Sequence, residues 1–412
     1  MLVRGTGEVA PATLSISRIS NDFFSIAGIH YLFRERLRTF VFLAWLYYER
    51  CTKRKSRFVM GNMETAAEAR GWVVNRGPDG ELQADVGPLP DSPDSQSVCI
   101  DVEAAGFNYK DALACGAHPG VVRKLPLVPG IDVAGRLRTS CGDYPAGTPV
   151  VATGNGLGET ISGGFATEVW APPAAIIKRP PSLSAIAAMA MGTAGLSAIL
   201  AVERLQSVID WDYQARLQGN ERLPWLITGA SGGVGMLAVA ATALAGFQVI
   251  ACTRKNTLSD TLLSLGASAV QSPEEALPSD KKPLSSARYL GAIDTVGGEL
   301  LANILRVVAA GGAVASIGNA GGVALSTTVY PFILRGITLA GIDAAGLPSR
   351  EKRQELWAKL GVLWPLINSG FPVRHIGLQE IGDWAAEMRS GCIKGRAVVI
   401  PQKEARGDYA HD

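Results

Sequence analysis

Residues 226–235, Leu-Ile-Thr-Gly-Ala-Ser-Gly-Gly-Val-Gly, restrict this chain more than any other stretch: a short apolar run breaks into a glycine-rich turn, and a small-residue helix pattern starts at Met236. The order is strand, phosphate-binding turn, helix. Glycine at 229, 232 and 235 leaves no Cβ where the chain turns tightly, where backbone meets a pyrophosphate and where helix meets strand. Ser231, Gly233 and Val234 complete the turn. Free N–H groups and the positive dipole end of the following helix favour an anion there. A helix length later, Phe247 to Cys252 supplies a second apolar strand, which raises a weak motif to a βαβ unit.

The end of that second strand decides which dinucleotide fits. A NAD site places Asp or Glu there to accept from the ribose 2′-hydroxyl, whereas Thr253-Arg254-Lys255 offers a hydroxyl and two cations. That chemistry predicts a 2′-phosphate, hence NADPH. Each charge-assisted hydrogen bond contributes roughly 1.5 to 3 kcal/mol, or about ten- to hundredfold in cofactor preference. The other reading of Arg254 and Lys255 is a pair of solvated loop charges.

At 412 residues the chain can hold two domains with real cores. Charge is uneven: residues 1–62 carry ten Lys/Arg and four Asp/Glu, the remainder 29 and 33. The basic balance therefore belongs to the leader, and the body gives no electrostatic reason to expect nucleic acid. The six cysteines (51, 99, 115, 141, 252, 392) and four histidines (30, 118, 375, 411) form no close cluster. A disulfide scaffold and a thiolate zinc site are both disfavoured, and a reducing, cytoplasmic setting suits the thiols.

In the leader, Thr39 to Tyr48 is apolar but about half the length a bilayer requires. No stable membrane insertion is expected. An organelle-targeting segment (which would make the protein mitochondrial) or an interfacial one, a disordered extension, and translation upstream of a start at Met60 or Met63 are the three readings; the last two together are preferred. From Ala69 to about residue 182, short alternating strands are punctuated by Pro and Gly, as in a partly barrel-like antiparallel domain. Helical spacing begins beyond Ser184, and a polar connector at 206–222 leads to the glycine turn. After it, βα alternation continues through 259–265, 290–296, 300–308, 313–317 and 337–342, with 273–286 as a polar loop. That pattern predicts a doubly wound parallel sheet. Two helices, 353–367 and 381–388, and a strand at 397–400 close the chain.

At Gly106-Phe107-Asn108-Tyr109-Lys110-Asp111 and Val128-Pro129-Gly130-Ile131-Asp132-Val133-Ala134-Gly135 the sequence resembles the zinc-independent medium-chain dehydrogenase/reductase superfamily, in its acrylyl-CoA reductase and quinone oxidoreductase branch. Gly192-Thr193-Ala194-Gly195, residues 292–297, 318–322 and Pro331-Phe332-Ile333-Leu334-Arg335 extend the match over about 69–402. The resemblance implies an α/β protein in which a GroES-like, partly open β-barrel joins a Rossmann doubly wound sheet. It divides the chain into a leader (1–62), a catalytic domain in two parts (63–187 and 346–412) and an NADPH-binding domain (188–345). It also implies hydride transfer to an activated C=C bond of a small molecule, a CoA thioester such as acrylyl-CoA, and a homodimer.

Zinc alcohol dehydrogenases similar to this fold carry Cys where Asn108 stands and His-Glu where Ile131-Asp132 stands, so the ligands of a catalytic Lewis acid are missing. Conjugate hydride addition needs less, because the acceptor is polarised by its own carbonyl and the protein mainly aligns donor and acceptor carbons. The family pattern makes Asn108, Tyr109, Asp111 and Asp132 the polar cleft lining and catalytic candidates. Tyr109 lies against the cofactor and can donate to the enolate. The bland readings are packing for Tyr109, turn stabilisation for Asn108, and capping of backbone N–H groups for the two Asp residues. Thr193 and Asn319 are expected near the nicotinamide, with Ile333 contacting it through the chain. Ala344 and Gly391 depart from the family pattern. A quinone or 2-alkenal reductase, and a non-catalytic NADPH-binding protein, are the competing functions.

Overall fold

The computed structural model describes residues 68–90, 96–216, 223–280, 282–347 and 349–402. The leader, with its apolar stretch at 39–48, lies outside them. The first strands are β1 (Arg70–Arg76), β2 (Leu82–Pro88), β3 (Val98–Phe107), β4 (Asp132–Leu137), β5 (Pro149–Thr153), β6 (Glu168–Ala171) and β7 (Ile176–Lys178). They continue as β8 (Trp225–Thr228), β9 (Val249–Cys252), β10 (Ala269–Gln271), β11 (Tyr289–Asp294), β12 (Val308–Ser316), β13 (Thr338–Gly341), β14 (Val373–Ile376) and β15 (Arg396–Val399). The helices are α1 (Tyr109–Cys115), α2 (Ala185–Val208), α3 (Trp211–Arg216), α4 (Gly233–Leu244) and α5 (Ser259–Ser264). Then follow α6 (Pro273–Ala276), α7 (Gly298–Leu305), α8 (Tyr330–Arg335), α9 (Arg350–Ile367) and α10 (Ile381–Arg389).

Strands β8 and β11 are buried at every position, as a parallel sheet covered on both faces requires. They sit at the centre of a six-stranded parallel sheet ordered β10-β9-β8-β11-β12-β13. Numbered from β8, that is the 3-2-1-4-5-6 order of dinucleotide-binding sheets, and the order reverses between β8 and β11. A ligand crevice belongs at the carboxyl ends of those two strands. A second, seven-stranded sheet has the path β14-β15-β3-β4-β5-β7, with β6 paired to β3. It therefore takes strands from both ends of the chain, antiparallel throughout except for β14 on β15.

Helix α2 is Ala-, Gly- and Met-rich and mostly buried. Among the described residues it alone is long and apolar enough to cross a membrane, yet it is the core helix against which α4 and α9 pack. Met189, Met191, Leu196 and Leu205 on it are fully buried, each contributing roughly 1.5 to 3 kcal/mol by removal from water.

Several local expectations are revised. The polar loop expected at 273–286 opens as helix α6, whose N-cap is Ser272 with Glu275 reaching back, a capping box in sequence. Part of the connector at 206–222 is helix α3. Strands β10 and β14 escaped sequence reading because three or four half-buried residues carry almost no period; pairing with β9 and β15 creates them. The expected division at residue 188 falls inside α2.

Candidate active site

Sheet register assembles the site. Gly106 pairs with Asp132 across β3–β4, and Phe107 with Ala397 across β15–β3. Asn108, one residue beyond β3, consequently falls between Asp132 and Arg396. All three are buried. Asn108 Nδ2 donates to Asp132 Oδ2 at 2.8 Å, while Asn108 Oδ1 accepts from Arg396 Nη1 at 3.0 Å. Gly192, at φ +48°, interrupts the helical course of α2, and a Cβ there would come within 2.3 Å of Asp132 Oδ2. Past that break, the Thr193 N–H donates to Asp132 Oδ2 at 2.7 Å and the Thr193 hydroxyl to Oδ1 at 2.5 Å.

Asp111 holds the other flank. Its Oδ2 accepts from the Asn108 N–H at 2.8 Å, and its Oδ1 from the Ile131 and Gly130 N–H groups at 2.9 and 3.2 Å. It thus sits in the first turn of α1, where a carboxylate is favoured, and ties down the Pro129-Gly130-Ile131 loop. Arg396 also donates to the carbonyls of Phe107 (2.9 Å), Ala190 (3.0 Å) and Met189 (3.4 Å).

Two carboxylates and one guanidinium are therefore enclosed together. Burial, then the neighbouring Asp132 charge, pushes Asp111 up to about 7 against its backbone donors. Burial also raises Asp132, opposed by its bonds from Thr193 and Asn108 and by the Arg396 charge. Arg396 is pulled down by burial and held up by Asp132 and Asp111. Both carboxyl groups are shifted upward because two acids share one enclosure with a single guanidinium. Neither Asp side chain reaches solvent. Tyr109, the first residue of α1, is 39% exposed.

The glycine turn has the predicted form. Gly229 is left-handed (φ +57°), and a Cβ on it would meet Thr295 Oγ1 at 2.3 Å. A Cβ on Gly235 would come within 2.2 Å of the Gly229 carbonyl oxygen. Gly232 caps α4 without any side-chain acceptor, which leaves first-turn N–H groups for an anion. A Cβ on Gly233 would lie 2.4 Å from Arg396 Cδ, so the arginine that organises the Asn108 cluster also packs beneath the turn. Val234 packs on the main core.

At the end of β9, the buried Thr253 hydroxyl donates to Ser231 Oγ at 2.8 Å and accepts the Lys255 N–H at 3.0 Å. Thr253 thereby ties the turn to the loop. Arg254 is exposed, and Lys255 Nζ donates to the Ile393 carbonyl at 2.5 Å. Asn319 lies exposed in the loop after β12, where its carbonyl accepts from Gly322. Ile333 is 68% exposed on α8. The structure thus joins Asn108, Asp111, Asp132 and Thr193 in one network and Ser231, Thr253 and Lys255 in another; Asn319 and Ile333 enter neither.

Residues 94–181 match the Alcohol dehydrogenase GroES-like domain and residues 233–361 the Zinc-binding dehydrogenase family model. Acrylyl-CoA reductase AcuI of Ruegeria pomeroyi is 37% identical over 303 residues, 73% of this chain and 89% of the relative. The chain belongs to the zinc-independent medium-chain dehydrogenases/reductases. Two solved members agree in fold. The yhdH oxidoreductase from Salmonella enterica in complex with NADP has TM-score 0.73 at 34% identity, over 81% of this chain and 100% of that one. Bacillus subtilis yhfP with NAD bound has TM-score 0.72 at 33% identity, with the same coverage.

This medium-chain reductase does not carry the donor set of a zinc site, despite the name of the matching model. The Asn108 amide is committed to Asp132 and Arg396, Ile131 is apolar, and the Asp132 oxygens are taken by Thr193 and Asn108. Among the described residues no three His, Cys, Asp or Glu side chains converge. Two organising residues escaped sequence reading. Arg396 signals itself only as a cation opening an otherwise apolar strand. Asp294 ends β11, where it accepts from Thr228 Oγ1 at 2.6 Å and from the Gly297 N–H at 2.8 Å. It joins the two loops at the point where strand order reverses, and Thr295 Oγ1 adds a bond to the Thr228 carbonyl at 2.8 Å.

Proposed function

We propose that this chain reduces the activated double bond of acrylyl-CoA, or a close enoyl thioester, to the saturated acyl-CoA at the expense of NADPH and a proton. The observation that carries the reading is the closed Asn108–Asp132–Thr193–Arg396 network. It is a rigid polar support behind Thr193 and Tyr109 and holds no set of metal ligands, which suits an acceptor already polarised by its own carbonyl. The residues present fit the cofactor: glycine at 229 and 235 permits the tight turn and close helix packing of a dinucleotide site, the start of α4 at Gly232 has no side-chain cap and leaves N–H groups for a pyrophosphate, and Arg254 and Lys255 follow the second strand, where a 2′-phosphate is read. When bound, NADPH supplies the hydride.

Tyr109 offers a solvent-reachable phenol that can donate to the thioester oxygen or deliver the α-proton. Asp111 and Asp132 act as positioning residues: they hold Asn108, Thr193 and the 129–131 loop, with every oxygen hydrogen-bonded inside the protein. Asn319 and Ile333 border the cofactor cleft from the β12–α8 segment. In that segment Val323, Val329, Tyr330, Ile333 and Leu334 are all markedly exposed apolar side chains, a surface that supports the homodimer reading. The five described cysteines are free thiols, which supports a reducing, cytoplasmic setting.

The experiment is a substrate panel followed by NADPH oxidation, comparing acrylyl-CoA, a 2-alkenal and a benzoquinone. The thioester should give the highest kcat/KM. A higher value for the quinone would make this a quinone reductase, and cofactor binding without turnover on any of the three would make it non-catalytic.

A further inference from the structure

The segment preceding β15 links the two networks described above. Arg396, its inner anchor, is buried among Asn108, Phe107 and Ala190. Gly395 is left-handed (φ +78°), and a Cβ on it would come within 2.5 Å of the Pro372 carbonyl oxygen, so this turn has one course. The outer anchor is the Lys255 ammonium on the Ile393 carbonyl at 2.5 Å. Lys394 lies between the anchors, with its side chain exposed. The chain is thus pinned on both sides of Lys394, at the carboxyl end of β9.

We propose that Lys394 is a third cation of the 2′-phosphate subsite, beside Arg254 and Lys255, and a determinant of NADPH preference contributed from the far end of the chain. The inference rests on the NADPH reading above and adds a residue to it. Position argues for it: the end of the second strand of a dinucleotide sheet is where the 2′ substituent of the adenine ribose is read. Charge argues for it as well. Burial pulls the Lys255 ammonium down, Cys392 opposes this, and the Lys394 and Arg254 charges add to the downward shift, so the three cations share one field. Among the described residues none of the three forms an ion pair with a carboxylate, although Glu274 feels the charge of Arg254. Three like charges brought together without a counter-ion repel; a phosphomonoester carrying roughly −1.5 to −2 offsets them. Lysine serves here as a point charge, which needs no fixed hydrogen-bond angle.

A 3′-phosphate such as CoA carries has the same chemistry, so the test separates the sources. Binding of 2′,5′-ADP, 3′,5′-ADP and 5′-AMP is measured by calorimetry for the full chain and for Lys394→Ala and Lys394→Arg, with thermal unfolding as the folding control. The inference expects Lys394→Ala to lose about tenfold in 2′,5′-ADP affinity, to keep its 5′-AMP affinity, and to be restored by Lys394→Arg. Unchanged 2′,5′-ADP binding, an equal loss for 5′-AMP, or a loss confined to 3′,5′-ADP overturns it. A parent protein that binds 2′,5′-ADP no better than 5′-AMP overturns the NADPH reading itself.

Discussion

Replacing Arg396 by Met retains most of the side-chain stem and removes the charge, and the surroundings of Arg396 set the expected cost. Asp132 would be left fully buried without the nearby positive charge that reaches it across Asn108; breaking a direct buried ion pair costs about 3 to 5 kcal/mol, which bounds this contribution from above. The carbonyls of Phe107 and Ala190, and Asn108 Oδ1, would also lose a donor, at about 1 to 3 kcal/mol for a group left unsatisfied. These terms overlap because Asp132 can take up a proton instead of staying charged. The net loss should be about 4 kcal/mol at pH 8 and smaller at pH 5, a large share of the roughly 5 to 15 kcal/mol that holds a domain folded. Urea unfolding of Arg396→Met, Asp132→Asn and the double variant at both pH values tests this. The double variant should recover part of the loss, since it buries no unpaired charge. A single variant within about 1 kcal/mol of the parent at pH 8, or no recovery in the double, would refute the reasoning.

Three further expectations concern the site. Arg254→Ala should raise KM for NADPH about ten- to hundredfold and move KM for NADH far less; equal losses would show that the arginine does not meet the 2′-phosphate. Tyr109→Phe should lower kcat with acrylyl-CoA about a hundredfold, the lower end of the usual range for a proton donor, with KM for NADPH little changed. Full kcat would place the donor elsewhere. With Asp111 pushed up to about 7 in the fold against the ordinary carboxyl value of 3.8, the native state retains a proton that the unfolded chain has lost between those values. That contribution is complete below about pH 4, declines as pH rises through 7 and is gone above; the Asp132 shift has the same sign. Urea midpoints should therefore fall from pH 4 to 7, with a shallower slope in Asp111→Asn, and a rising midpoint in the parent would contradict this.

Local sequence determined the dinucleotide half of this protein. Glycine spacing, an uncapped helix start and cations after the second strand are properties of neighbours in the chain, so Gly229 to Gly235 and Thr253 to Lys255 could be read without a fold. The buried polar network could not. Asn108, Asp132, Thr193 and Arg396 meet because β3 pairs with β4 on one side and β15 on the other, while Gly192 turns α2 toward them. Nothing within a few residues of Asp111 or Asp132 signals that both are enclosed, so the sequence left proton transfer and capping of backbone N–H groups side by side, and only the fold shows which N–H groups Asp111 accepts from. Strand period and turn chemistry act over a few residues, whereas burial and charge pairing depend on which distant strands become neighbours, and only the folded chain decides that.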